Sequence, residues 1–362
     1  MRRGILPAWR NSFACHIRAF VKGVNLMIKA LIFAASILAA SPSPLLAQEA
    51  APRQSPRQPG KSPLKVFILA GQSNMQGQGI VEAKDKAGKE KPGTLLAMLH
   101  DPAKAPLLKH LVDAKGHWAE GRDDVWVYDI SEQGSSHGPL AFGYGWDVGN
   151  KDWFGPELQF GHVLGHQLDN QVLIIKTAWG GKDLYKDFRP PSSGGTMGTY
   201  YNEMLDTVNN VLANLKTLFP GYKGGGYELA GFVWWHGWND FCDPEHAVPE
   251  YEQNLVNLIK DVRRDLHAPK LPVVIGEFTG PWGTDCKDLP VAALTIRNAQ
   301  AAVAAMPEFK DSVQFVQTHD FVRAEKDSPS DQGYHEFQNG ETYFLIGDAL
   351  GQAMKKLTPA GK

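Results

Sequence analysis

Residues 71–77 read GQSNMQG and follow directly on the apolar run KVFILA, residues 65–70. A serine between Gln72 and Asn74, with glycines at 71 and 77, fits a turn at the carboxyl end of a strand, where open α/β sheets hold their ligands. Three more stretches have comparable placement: AWGGKDL (178–184) and HGWND (236–240) follow apolar runs, and GYHEFQNGETY (333–343) precedes a final amphipathic segment. Together they supply a hydroxyl, backbone N–H groups, a carboxamide and an imidazole, which is the set that acyl transfer requires. A serine hydroxyl is almost wholly protonated at neutral pH and needs a base, a part assigned to His335. The oxyanion of a tetrahedral intermediate needs fixed donors: the N–H of Ser73, the N–H of Gly181 or Gly180, and the side-chain amide of Asn239. Loss of one such donor typically costs about 3 kcal/mol in the transition state.

Those residues need a scaffold that brings strand ends together. Apolar runs at 65–70, 172–178, 228–236, 271–278 and 313–318 predict strands. Amphipathic stretches at 156–168, 199–218, 249–266, 292–306 and about 341–356 predict helices between and after them. This alternation is the signature of βαβ units, so the expected fold is a three-layer α/β/α sandwich around a mostly parallel, five-stranded sheet. Residues 78–155 break the rhythm with the charged VEAKDKAGKEKPG and the aromatic and Gly-rich HGPLAFGYGWDVGNKDWFG, and they read as long irregular binding loops.

The chain has 362 residues, 43% hydrophobic and 21% charged, which is ordinary for a globular protein with a sizeable core. Its beginning differs: from Met27 onward, Lys29, the apolar ALIFAASILAA and a cut after Ala47 have the form of a secretory signal. Met27 is therefore the expected true start, residues 1–47 a leader, the Pro-rich residues 48–63 a tether, and 64–358 one domain exported to a periplasmic or extracellular space. Without the leader, 31 basic residues face 39 acidic ones, a net charge of −8, which argues against nucleic acid or an anionic membrane as partner. No stable membrane insertion is expected once the signal is cut. Cys242 and Cys286 both lie beyond the ends of strands expected to be neighbours, so an oxidising compartment allows them to pair; two unpaired thiols are the alternative. Neither has zinc-ligand spacing.

GQSN, the later GWND and a His ahead of the last helix resemble the blocks of the SGNH hydrolases, a branch of the GDSL-type esterases with a flavodoxin-like sheet. More narrowly, FILAGQSNMQGQG, FGPELQFG, IIKTAWGGKDLYKDFRPP, GFVWWHGWND and YHEFQNGETYFLIGDALGQAM resemble the sialate O-acetylesterase domain family and related carbohydrate acetylesterases, over residues 65–356. The resemblance implies Ser73 as nucleophile, Gly181 (or Gly180) and Asn239 as oxyanion donors, and His335 as base. Many relatives carry QGExD where this chain has HGWND. SGNH hydrolases usually place the triad acid three residues before the His, a position held here by Gln332. Asp331 is the nearest substitute, with Asp240 and Glu277 behind it and a Ser-His dyad as a further option.

Gln72, Trp179, Trp238 and Arg189 are assigned to the substrate, the tryptophans as a sugar-binding wall and Arg189 as a partner for a carboxylate such as that of sialic acid. Plain readings compete: a structural salt bridge for Arg189, core packing for Trp179 and Trp238, and structural or surface roles for His162, His166, His236 and His319. The function expected is a serine esterase that removes O-acetyl groups from a carbohydrate, sialic acid esters and acetylated xylan both being compatible, with no metal or organic cofactor. The competing expectation is a carbohydrate-binding protein that kept the fold and lost turnover.

Overall fold

Strand β1, Leu64–Gly71, runs through the centre of the molecule with Val66, Ile68 and Ala70 facing one side and Phe67 and Leu69 the other, all buried. A strand apolar on both faces is what a sheet covered by helices on both sides demands. The computed structural model describes residues 63–280 and 290–358. The leader, nearly all of the tether and Cys286 lie outside the described residues, and so does the expected Cys242–Cys286 pair.

The other strands are β2 (Gly79–Ile80), β3 (Arg122–Ser131), β4 (Gly134–Leu140), β5 (Trp153–Phe154), β6 (Val172–Ala178), β7 (Tyr227–Trp235), β8 (Val273–Gly276) and β9 (Val313–Val316). Seven of them form one sheet in the order β4-β3-β6-β1-β7-β8-β9, parallel throughout except for β4, while β2 and β5 make a small antiparallel pair. The sheet therefore has seven strands where five were expected. The two extra strands are a hairpin inside the segment read as loop. Asp123, Asp124 and Asp129 interrupt the apolar run of β3, and β4, GSSHGPL, is mostly exposed as the edge strand. An edge strand needs no apolar face, and a Pro is tolerated there.

Helices Thr199–Ala213, Ala247–Asp265 and Val291–Ala305 cover one face, where Val208, Tyr251, Leu255, Ile259, Ile296 and Val303 pack on Ile68, Ile175, Phe232 and Ile275. Helices Glu157–Gln167 and Gly340–Leu357 cover the other, with Phe160, Leu164, Ile346, Leu350 and Met354 on Phe67, Ile174, Val233 and Val274. All five expected helices are present, within a few residues of their expected ends. Among the described residues no helix is long and apolar enough to cross a membrane.

The chain moves to opposite sides of β1 when it lays down β6 and then β7, so β1 is the topological switch point. Gly71 is level with Ala178 of β6 and with Trp235 of β7. Three adjacent strands thus release their loops at one height on one edge.

Candidate active site

Ser73 opens the single helical turn Ser73–Gln76 just after β1. Gly71 makes this turn possible, because a Cβ there would collide with the carbonyl oxygen of Trp235 on the neighbouring strand. Ser73 is half-buried, and its hydroxyl has no hydrogen bond among the described residues. On the β6 side, a Cβ built on Gly180 would stand 3.8 Å from Ser73 Cβ, so the glycine loop lies directly beside the serine. The Gly180 N–H itself donates to Glu132 Oε2 at 3.3 Å.

On the β7 side the decisive residue is Gln72. Its Oε1 accepts from the N–H groups of Gly237 (3.2 Å) and Asn239 (3.4 Å), and its Nε2 donates to Asn239 Oδ1 at 3.1 Å. With its carbonyl oxygen so engaged, Asn239 has its NH₂ group left to donate elsewhere. Gln72 was expected to touch substrate. It is instead 2% exposed, and its whole amide holds the loop that carries Asn239.

Asn74 performs the corresponding task toward His335. Its Nδ2 donates to Glu336 Oε1 at 3.2 Å and to the Tyr334 carbonyl at 3.4 Å, and its Oδ1 accepts from Tyr343 Oη at 2.7 Å. The same Tyr343 proton is shared, at the longer distance of 3.3 Å, with the carbonyl of His335. The residue after the serine is therefore bonded to both neighbours of the histidine. The backbone there is strained: Glu336, Phe337 and Gln338 all have φ between 51° and 57°. Such conformations cost of order 1–3 kcal/mol each and persist only where surroundings hold them. The Glu336 carboxyl supplies much of that hold, accepting from Thr279 as well as Asn74. Burial pushes its pKa up to about 8, so it is mostly a neutral acid at pH 7.

His335 Nδ1 lies 3.2 Å from Gln332 Oε1, which also accepts from Gln338 Nε2 at 3.2 Å. A carbonyl oxygen only accepts, so the proton sits on Nδ1 and Nε2 keeps its lone pair. Asp331, expected to orient this imidazole, is exposed and makes no side-chain contact with it; Gln332 occupies that place. The reserve acids are engaged as well, Asp240 with the N–H of Leu184 and Glu277 with His319 Nδ1 at 2.7 Å. Burial, which disfavours the charged imidazolium, pulls His335 down to about 4.

The remaining expectations divide. Trp179 is buried against Phe188 and Tyr200, so it belongs to the core. Trp238 is half-buried in an aromatic group with Phe241, Phe278 and the exposed Tyr334. Arg189 is bound to Glu250 at 2.9 Å and to the carbonyls of Tyr185, Ser193 and Gly194, which is the structural salt bridge and leaves no guanidinium edge for a ligand. His236 is fully enclosed between Trp234 and Tyr251, and burial lowers its pKa to about 3.

Sequence reasoning missed the support beneath the serine turn. Lys176, in the apolar β6, is wholly buried and donates to the carbonyls of Gln76 (2.6 Å) and Tyr144 and to Glu157 Oε2 (2.9 Å), with Asp129 Oδ1 at 3.4 Å. A lysine inside VLIIKTA was the signal, since a buried ammonium must have partners. Burial raises both acids, Asp129 to about 7, against the opposing pull of the lysine.

A family model described as "Carbohydrate esterase, sialic acid-specific acetylesterase" matches residues 63–328. The chain belongs to that family. The matched region takes in Ser73, both glycines and Asn239, and ends just before His335. Among relatives of this carbohydrate esterase family, a probable carbohydrate esterase of Arabidopsis thaliana is 26% identical over 212 residues, covering 59% of this chain and 68% of its own. A solved structure of an Arabidopsis thaliana protein superimposes with a TM-score of 0.50 at 19% identity, over 81% of this chain and 98% of that one. A carbohydrate acetylesterase from Xanthomonas citri gives a TM-score of 0.50 at 14% identity, over 81% of this chain and 56% of the other. At those identities the structural likeness speaks for the fold alone.

Proposed function

We propose that this member of the carbohydrate acetylesterase family hydrolyses O-acetyl esters of a carbohydrate, with Ser73 as nucleophile. The observation that carries the reading is the common height of β6, β1 and β7 at Ala178, Gly71 and Trp235, which sets Gly180 and Gly181, Ser73 and Asn239 along one edge. His335 Nε2 takes the serine proton as Oγ attacks the acetyl carbonyl. The developing oxyanion faces the N–H of Ser73, a glycine N–H of the β6 loop and the Asn239 amide. The sugar leaves with a proton from His335, and water activated by the same imidazole releases acetate from Ser73. Gln332 keeps the imidazole in the tautomer that can accept this proton.

One observation favours the rival reading, a carbohydrate-binding protein with impaired turnover: an amide stands where an ionised acid would stabilise the imidazolium. Acetate release from a panel of acetylated sugars, and hydrolysis of p-nitrophenyl acetate, by wild type, Ser73→Ala and His335→Ala separates the two. Losses on the order of 10⁴-fold in both variants support the esterase; equal rates in all three proteins reject it. Export is part of the proposal, and N-terminal sequencing of the mature protein, expected to begin at Gln48, tests it.

A further inference from the structure

We propose that Glu132 sets the charge preference of the site, favouring acetylated sugars without a charge over those that carry a carboxylate. The inference rests on the esterase reading above and adds the class of sugar and the residue that selects it.

Glu132 and Gln133 form the tight turn between β3 and β4, the hairpin at the sheet edge. The turn is braced by Ser131, whose Oγ donates to Gln133 Oε1 at 2.9 Å and accepts from the Gln133 N–H at 3.2 Å. From there Glu132 Oε2 accepts from Gln76 Nε2 at 2.8 Å and from the Gly180 N–H at 3.3 Å. A Cβ placed on Gly180 would lie 2.9 Å from Glu132 Oε1, 3.1 Å from Gln76 Oε1 and 3.8 Å from Ser73 Cβ. The carboxylate and the serine thus flank one glycine.

Gln76 adds an independent sign of a ligand. It is 2% exposed, and its Oε1 has no hydrogen-bond partner among the described residues. A buried acceptor left open beside a nucleophile is an unusual arrangement, because such groups are normally satisfied. Glu132, exposed beside this buried acceptor, presents a carboxylate that accepts but does not donate, and its natural complement is a hydroxyl-rich sugar.

An anionic sugar would need a cation here, and those of the loop after β6 face other partners. Lys182 stands over the ring of Tyr200 and Lys186 over that of Tyr185, while Arg189 is held by Glu250 and three carbonyls. A substrate carboxylate bound beside Ser73 meets the Glu132 charge within about a Debye length, and the repulsion left after screening by salt is enough for roughly a tenfold loss in kcat/KM. Glu132 is exposed, so its charge is screened by salt.

The experiment measures kcat/KM by acetate release on an acetylated methyl xyloside and on O-acetylated N-acetylneuraminic acid. Wild type, Glu132→Gln, Glu132→Lys and Ser73→Ala are compared, and wild type is repeated across a salt series. Wild type should prefer the neutral sugar. Glu132→Gln should narrow that preference about tenfold, Glu132→Lys should narrow it further or reverse it, and salt should weaken it in the unmodified enzyme. Ser73-dependent hydrolysis of both sugars with a ratio unmoved by Glu132→Gln and by salt overturns the role of Glu132 and leaves the esterase standing. Absence of Ser73-dependent hydrolysis of either sugar and of p-nitrophenyl acetate overturns the esterase reading, and the inference falls with it.

Discussion

His335 Nδ1 and Gln332 Oε1 are joined at 3.2 Å, so an amide, not a carboxylate, orients the imidazole whose chain neighbours Tyr334 and Glu336 are bonded to Asn74 of the serine turn. An amide fixes the tautomer but adds no charge to stabilise an imidazolium. Gln332→Asp should therefore raise the apparent pKa of His335 and raise kcat, while Gln332→Ala should lower kcat about tenfold or more by freeing the ring. Asp331→Asn should change kcat by less than about threefold. Steady-state kinetics across pH for the three variants checks all of this.

The acid limb of the wild-type profile should lie unusually low. A histidine that must be neutral to act, and whose pKa is about 4, remains competent well below the ordinary histidine value. The kcat/KM should be nearly flat from pH 8 down to pH 5.5 and fall with a midpoint near 4. A midpoint close to 6.5 would show that burial does not lower the pKa of the catalytic base.

Asn74 links the serine turn to the histidine segment through Glu336, the Tyr334 carbonyl and Tyr343. Asn74→Ala should leave buried groups unsatisfied and lower stability by about 1–3 kcal/mol. It should also lower kcat on the order of 100-fold while KM moves little, since misplacement by about 1 Å has that effect. Denaturant titration and kinetics on the same preparation separate the two losses.

Glu336 should make the protein less stable as pH rises. Its pKa is about 8 folded and near 4.5 unfolded, so between these values the folded state holds a proton that the unfolded chain has lost. Its contribution is greatest below pH 4.5 and is lost as pH climbs through 8. Glu336→Gln removes that dependence, and the difference in melting temperature between variant and wild type should grow steadily from pH 5 to 8.

Arg189→Ala should lower the melting temperature by several degrees, since it strips Glu250 and three carbonyls of their donor. KM for an acetylated sugar should stay within about twofold. A tenfold rise in KM at unchanged stability would return Arg189 to the substrate.

How much of this was legible in the chain depended on how local each signal is. The five expected strands were readable because apolar residues dominate each run, and in the central ones burial on both faces leaves only one kind of pattern. β3 was not, since Asp129 looks like a solvent residue until Lys176 is laid beside it on β6. Ser73 and Asn239 stood out because each follows its strand within a few residues. The roles of Gln72 and Asn74 were hidden, as the bond from Asn74 to Glu336 spans 262 positions. A similarly small local ambiguity separated Asp331 from Gln332, and only the turn of the backbone decides which side chain meets the imidazole.

Lys176 has one more effect, on how the sheet aligns during folding. It lies directly opposite Asp129 in the parallel pairing of β3 with β6. If β3 slid by one residue, Tyr128 or Ile130 would stand opposite the lysine, and a fully buried ammonium would lose a carboxylate. Apolar side chains tolerate exchange among themselves, so Val, Ile and Leu alone would discriminate weakly between neighbouring alignments. A single charge pair among them makes every misaligned pairing costly. The ammonium that steadies the serine turn thereby also marks the one alignment in which the edge hairpin can present Glu132 to Gly180.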